Sequence, residues 1–207
     1  MTVSYTLRIS VKLPRMQSLP EPEIILLAQR GDTRAFRWLV ERYQGFAYSL
    51  AFRFTREAGS AEDIVQESFI RVWKNLSRYR AEVKFSTWLY TIVTNCCLDY
   101  LRSRQGRSRR HTVDEQHLRV IASTQDTDSE VNRQELMAAV LQLADALSPR
   151  QRAVFILRDL EGLSAEEVCD ILSMSTGNVK STLHHARSFI RSKLMHYYRE
   201  PIKKEEL

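Results

Sequence analysis

Residues 147–190 read LSPRQRAVFILRDLEGLSAEEVCDILSMSTGNVKSTLHHARSFI, and their punctuation divides them into three short helices. Ser148 and Pro149 open the first, with serine as the cap and proline in the first turn, where its missing N–H costs nothing. Val154, Phe155 and Leu157 are its apolar anchors, and Glu161-Gly162 stops it. Ser164 followed by Glu167 three residues later is a capping box that opens a second helix running to about Leu172. Ser175 caps a third and longer helix carrying Val179, Leu183, Ala186 and Ile190 at helical spacing.

A helix of about eight residues, a turn of three or four and then a second helix is the spacing of a helix-turn-helix. The close crossing of its two helices needs a small residue on the first, and Cys169 fills that place between Val168 and Leu172. Met174 and Val179 supply the apolar residues around the turn. Ser173 stands where glycine is common. Off the apolar stripe, the last helix carries Ser175, Thr176, Asn178, Lys180, Ser181, Thr182, His184, His185 and Arg187. Short hydrogen-bonding side chains with interspersed cations suit a helix whose N-terminal half enters the DNA major groove, where hydroxyls and amides read base edges and cations neutralise phosphates. The competing reading is a three-helix bundle with an ordinary solvated face. Spacing, caps and face composition all agree with DNA binding.

Upstream, the chain is again helical, with only 6 Gly and 5 Pro in 207 residues. A helix is expected at about Glu21–Arg30, with Pro22 in its first turn and Gly31-Asp32 at its end. A second runs from about Thr33 to Phe54 with Phe36, Leu39, Val40, Tyr43, Phe46, Ala47, Leu50 and Ala51 on one stripe. Ser60 is expected to cap a third, which carries Ile64, Val65, Phe69, Val72, Trp73 and Leu76. After a polar loop at Tyr79–Lys84 comes FSTWLYTIVTNCCLDYLRSRQGRSRR, residues 85–110. Its stripe is Phe85, Trp88, Leu89, Ile92, Val93, Cys96, Tyr100 and Leu101. From about Ser103 to Ser129 the chain is polar, first basic and then acidic, and reads as a linker.

The sequence therefore predicts an all-α fold, two small helical domains joined by a flexible linker, the second a helix-turn-helix. The expected boundaries are 1–19 for an N-terminal extension, 20–105 for the first domain, 106–130 for the linker, 131–198 for the second domain and 199–207 for a charged tail. Met16 directly precedes the first helical segment and is an alternative start, which the intact mass of the native protein would distinguish.

Lys and Arg number 31 against 25 Asp and Glu, a formal charge of +6, which favours a polyanionic partner. No apolar run approaches the roughly 20 residues needed to cross a bilayer, and Arg8 and Lys12 interrupt any secretory h-region. The three cysteines make no CxxC pair, so reduced thiols in a cytoplasmic protein are expected. Neighbouring residues on a helix diverge by about 100°, so neither Cys96-Cys97 nor His184-His185 readily gives two ligands to one metal. No catalytic motif is present. No cofactor and no metal are expected.

Taken in order, QRGDTRAFRWLVERY, AEDIVQESFIRVWKNLSRYR, FSTWLYTIVTNCCLDYLRSR, LSPRQRAVFILRDLEGLSAEEVCDIL and STGNVKSTLHHAR closely resemble a bacterial RNA polymerase sigma factor of the extracytoplasmic-function (ECF) type. The resemblance covers about residues 20–105 and 135–195. It implies that Asp63, Gln66 and Glu67 contact the clamp helices of the polymerase β′ subunit, with Phe69 and Trp73 packed inward. It implies that the 79–86 loop and the following helix open the −10 promoter element and capture a flipped base, with Tyr79, Lys84, Phe85, Ser86, Thr87 and Asn95 around it and Trp88 and Leu89 holding the scaffold. Unstacking a base costs a few kcal/mol, which aromatic walls and edge hydrogen bonds must offset. Arg80, Lys84, Arg102, Arg104 and Arg107 would track phosphates.

The helix-turn-helix would read the −35 element, and Leu147–Leu160 would face the polymerase β flap. Thr182 and His185 stand where the family often has arginine, which leaves fewer fixed charges. The implied partners are core RNA polymerase, promoter DNA and an anti-sigma factor, with no membrane insertion and no enzymatic activity. Two other classes compete: a regulator using its helix-turn-helix alone, which leaves DIVQE and FSTWLY unexplained, and a thiol or metal sensor.

Overall fold

The computed structural model describes residues 18–108 and 129–199, and among them the regular elements are helices. The expected N-terminal extension, most of the linker, the charged tail and the side chain of Arg107 lie outside the described residues. In order the helices are α1 (Glu21–Gln29), α2 (Thr33–Thr55), α3 (Ala58–Asn75), α4 (Phe85–Ser108), α5 (Ser129–Ala144), α6 (Pro149–Phe155), α7 (Ala165–Leu172) and α8 (Thr176–Arg199). A 3₁₀ turn at Leu76–Arg78 extends α3, and a π segment at Ile156–Leu160 extends α6. No helix among the described residues is long and apolar enough to cross a membrane.

Local chemistry sets most of the helix ends. The carboxylate of Asp32 accepts from the backbone N–H groups of Arg34 and Ala35 and so caps α2. Gly31, at φ +90°, makes the left-handed turn that separates α1 from α2. Ser148 with Gln151 and Ser164 with Glu167 form complete capping boxes at α6 and α7. Ser173 adopts the left-handed conformation in the turn after α7, at φ 50°, so serine there does what glycine often does. The start of α3 differs from expectation. Its cap position is Glu57, and Ser60 lies inside the first turn, donating its hydroxyl to Glu57 at 2.6 Å.

Helices α1 to α4 form one unit. Its core holds Ile24, Leu39, Leu50, Phe54, Val72, Leu76, Phe85, Leu89 and Val93. Trp73, expected to pack inward, stays 40% exposed, with one ring face against Phe36 at 4.7 Å between centroids. Helices α5 to α8 form the second unit around Ile156, Leu157, Val168, Ile171, Val179 and Ala186. The segment expected to face the polymerase flap is mostly interior: Leu147 and residues 152–157 are buried, leaving Ser148 and Arg150 exposed.

Helix α4 has two buried stripes rather than one. Phe85, Leu89, Val93 and Cys96 face α2 and α3, with which α4 packs. Thr94, Cys97, Leu98 and Leu101 are also buried, and at 100° per residue they lie about 135° around the helix from the first set. Helices α6 and α7 pack against α4 as well. An apolar helix surface this wide must be covered on both sides, and here the second unit covers what the first leaves open. Polar contacts accompany this packing. Arg53 of α2 donates to Leu160 O at 3.0 Å and pairs with Glu161. Tyr90 of α4 donates to the other oxygen of Glu161 at 3.1 Å. Burial, and then the Glu161 carboxylate, push the Tyr90 hydroxyl well above the ordinary tyrosine range, so it remains a donor. Arg56 pairs with Asp145 at 2.7 Å, and the buried Arg152 pairs with the same carboxylate.

Candidate nucleic-acid interface

The loop after α3 is held by backbone capture. Gln29 Nε2 donates to Leu76 O at 3.0 Å and to Tyr79 O at 2.9 Å, tying the loop to α1. The Tyr79 hydroxyl donates to Val83 O at 2.6 Å, closing residues 79–83 into a turn. The Tyr79 ring packs on both Phe85 (5.6 Å) and Trp88 (5.2 Å). Phe85 is only 2% exposed and also meets Tyr43 at 5.2 Å. A ring so placed cannot face a captured base. It fixes Tyr79 and Trp88, which border the surface, so Phe85 is a positioning residue here. Arg80 and Lys84 are exposed, and Ser86 and Thr87 are half-buried at the first turn of α4.

Beside this loop a cleft of about 280 Å³ opens between α3 and α4, lined by Arg71, Asn75, Arg78, Trp88, Ile92 and Asn95. It has one aromatic wall, one aliphatic wall, two amides and two guanidinium groups. Asn75 Nδ2 donates to Arg71 O at 2.8 Å, which leaves its carbonyl oxygen and its second N–H free of that bond. Of the expected base-contacting residues the cleft includes Asn95 alone. Arg71, Asn75, Arg78 and Ile92 were not expected, and Trp88 was assigned to scaffold. Their spacing was the available signal: 71, 75, 78 and 88, 92, 95 are both i, i+4, i+7 rows, which line one face each on neighbouring helices.

Arg71 is the centre of an ion network across this surface. It pairs with Glu67 at 2.8 Å and with Asp99 of α4 at 3.2 Å, and Asp99 pairs with Arg102 at 3.5 Å. The Glu67 hydrogen bond leads the interactions that raise the Arg71 guanidinium above its ordinary range. Asp63, Gln66 and Glu67 are all exposed, and of these the Glu67 carboxylate is engaged by Arg71 one turn along α3. On the same outward stripe of α3 stand two exposed apolar residues, Ile70 (47%) and Trp73. Arg104 donates to the Tyr100 hydroxyl at 3.4 Å.

In the second unit, Ser175, Thr176, Asn178, Lys180, Ser181, His184, His185 and Arg187 are exposed on or just before α8, while Thr182 is half-buried. Asn178 N–H donates to Ser175 Oγ at 3.3 Å, so Ser175 acts as the cap. Cys169 lies at the α7–α8 crossing, its thiol 3.6 Å from Thr176 Oγ1. Arg187 is clasped by Asp159 through two hydrogen bonds, at 2.8 and 2.5 Å. That geometry commits the Arg187 guanidinium to fastening α8 onto the π segment. Burial lifts both the Cys96 and Cys97 thiols above the ordinary cysteine range, and no group of three potential metal ligands occurs among the described residues.

Two family descriptions match this arrangement in chain order: sigma-70 region 2 over residues 39–107 and sigma-70 region 4 over residues 137–190. The ECF RNA polymerase sigma-E factor of Haemophilus influenzae is 31% identical over 86% of this chain and 97% of its own length. The chain is an ECF sigma factor.

The ECF sigma factor SigE of Mycolicibacterium smegmatis is 36% identical over 79% of this chain and 64% of that protein. Among solved structures, CnrH in complex with the cytosolic domain of CnrY shares the fold, with a TM-score of 0.60 at 23% identity over 85% of this chain and 97% of that one. The sigma factor RpoE of Bartonella quintana, in complex with the anti-sigma factor NepR, gives 0.58 at 20% identity, covering 77% and 96%. Region 2 thus comprises the loop, the cleft and most of the unit containing them, and region 4 the helix-turn-helix. Sigma factors are transcription initiation factors rather than enzymes, so the chemistry to account for is recognition.

Proposed function

We propose that this sigma factor docks on core RNA polymerase through the outward stripe of α3, reads the −35 element with α8 and stabilises the opened −10 strand at the loop and cleft between α3 and α4. The observation that carries the reading is the cleft. An indole wall, two amides and flanking cations are what a base leaving its stack requires, since it loses stacking energy and base-edge hydrogen bonds together. Asn75 and Asn95 read the base edge, Trp88 stacks, and Arg78, Arg80, Lys84, Arg102 and Arg104 attract the phosphates. Polymerase makes the phosphodiester bonds. The protein acts in the cytoplasm at a stress- or envelope-responsive regulon. An anti-sigma factor is the expected inhibitor, as NepR is the anti-sigma factor bound to the Bartonella protein.

Run-off transcription with core polymerase on a genomic library tests this directly. A shared upstream motif among the transcripts is expected. Failure to direct any initiation, together with tight binding to duplex DNA without polymerase, would identify a plain helix-turn-helix regulator instead. Asn75→Ala combined with Asn95→Ala should cut promoter opening about tenfold per lost edge contact, each worth about 1–3 kcal/mol. A fluorescent base analogue in the −10 non-template strand reads this, and unchanged opening would remove the cleft from the mechanism.

Lys180→Ala should lower the salt slope of −35 duplex binding by about 0.9, the value for one phosphate contact. Arg187→Ala should act differently, because Arg187 holds Asp159. It should lower the thermal stability of region 4 and leave that slope largely unchanged.

A further inference from the structure

Helix α1 lies ahead of the stretch that matches region 2, which begins at residue 39, yet the loop after α3 hangs from it. Ile24, Ile25 and Ala28 seat α1 on the core, and Gln29 is its last residue. A primary amide carries two N–H groups on one nitrogen. Gln29 gives both to main-chain carbonyls, 47 and 50 residues away in sequence: Leu76 O at 3.0 Å and Tyr79 O at 2.9 Å. These acceptors bracket the 3₁₀ turn of Leu76–Arg78, whose closing bond runs from Tyr79 N–H to the same Leu76 O at 3.1 Å.

Tyr79 is thereby held at three points: its N–H on Leu76 O, its carbonyl by Gln29 and its hydroxyl on Val83 O. Its backbone is extended, at φ −65° and ψ 132°, so helix gives way to loop at this residue. The orientation of its carbonyl fixes ψ, and ψ sets the direction in which Arg80 and the rest of the loop leave. Just before the turn and within it, Asn75 and Arg78 line the cleft. A fixed turn therefore fixes one wall of the cleft relative to the loop cations. The other end of α1 serves the same cluster: Glu21 accepts from the Tyr43 hydroxyl at 2.8 Å, and Tyr43 packs on Phe85. Packing alone would be served by leucine or methionine in place of Gln29. Two N–H groups on the carbonyls at either end of one turn set its geometry as well.

We propose that Gln29 is a positioning residue for promoter opening: its amide fixes the Leu76–Tyr79 turn and so sets Asn75 and Arg78 against Arg80 and Lys84 around the displaced strand. What the turn presents to DNA rests on the cleft reading above; the control of the loop by Gln29 does not.

Three variants of the full-length chain test it. Gln29→Met keeps the length and removes both donors. Gln29→Glu keeps the shape and sets carboxylate oxygens against two carbonyls. Gln29→Lys restores N–H donors at a similar reach. In hydrogen exchange of the free protein, the peptide spanning residues 77–84 should exchange at least about tenfold faster in the Met and Glu variants, while α2 and α3 keep wild-type protection. With core polymerase, well below the melting temperature of each variant, both should open the promoter about tenfold more slowly, the effect of two lost hydrogen bonds. The fluorescent base analogue reads this, and holoenzyme assembly and −35 duplex binding should not change. Discrimination among the four bases at the captured position should flatten in both, an effect that lost stability alone cannot give. The Lys variant should recover part of each wild-type value.

Unchanged exchange over residues 77–84 would overturn the proposal. So would slower opening that only tracks a smaller folded fraction and leaves base discrimination intact, or a Lys variant no better than Met. The cleft reading fails separately. If Asn75→Ala with Asn95→Ala leaves opening unchanged while Gln29→Met still frees the loop and slows opening, Gln29 stands as a positioning residue and the cleft falls. If the asparagine pair slows opening and Gln29→Met does not, the cleft stands and the proposal falls.

Discussion

Phe85→Ala will destabilise region 2 by about 3–5 kcal/mol, the cost of emptying a fully packed phenylalanine site. The ring fills the space between Tyr43, Tyr79 and Trp88, with centroid distances of 5.2, 5.6 and 5.7 Å. Little can collapse into the void, because Tyr79 is tied by its hydroxyl to Val83 O and by its carbonyl to Gln29, and Tyr43 by its hydroxyl to Glu21 at 2.8 Å. Burial, with help from that carboxylate, raises Tyr43 to about 12, so its hydroxyl donates throughout the ordinary pH range. Denaturant unfolding of the variant should show a lower midpoint, and promoter opening should weaken in step because Tyr79 and Trp88 lose their support. Phe85→Leu should recover most of the stability. A variant of native stability with defective opening would mean that the ring touches the base directly, contrary to its burial.

Asp63→Arg with Gln66→Ala will weaken binding to core polymerase at least about 100-fold, close to 2.7 kcal/mol. Both side chains are exposed on one stripe of α3, continued by Ile70 and Trp73. Exposed acidic and amide groups leading into an exposed apolar ridge fit a basic, amphipathic partner helix, where charge sets orientation and the apolar residues supply burial. Because neither residue supports the core, the melting temperature should hardly move while titration of labelled protein with core enzyme loses its high-affinity phase. Normal assembly would sink this surface as the docking site. Reversing Glu67 is a poorer test. Glu67 holds Arg71, which holds Asp99, so its loss would also disturb the wall of the cleft.

The helix-turn-helix was legible because its information is local. Capping boxes at Ser148 and Ser164, the left-handed turn at Ser173 and the stripe through Val179, Leu183 and Ala186 are set by neighbours within a few residues. The motif order identified the family for a similar reason. The cleft was only partly legible, since Asn95 was foreseen but not its partners across α3. A row such as Arg71, Asn75 and Arg78 has no distinguishing composition until another helix is placed beside it.

Two charged residues also changed meaning on folding. Glu67 and Arg187 read as exposed ligands for partners, yet each is engaged within the chain, one by Arg71 and the other by Asp159. Sequence spacing shows which face of a helix a charge occupies. The Glu67 partner, one turn along the same helix, was open to that reading. For Arg187, spacing does not show that an opposite charge from an element 28 residues away lies in reach.

What the sequence determined by itself was the set of helices, most of their ends and the family, because period, caps and turn residues act over one or two turns. What only the tertiary structure decided was which apolar and charged groups are already taken. Phe85 went to the core, Trp73 stayed at the surface, and the second stripe of α4, with Cys97 on it, came to lie beneath region 4. That allocation depends on packing between segments far apart in the chain, where burial and partner distance, rather than residue type, set the outcome.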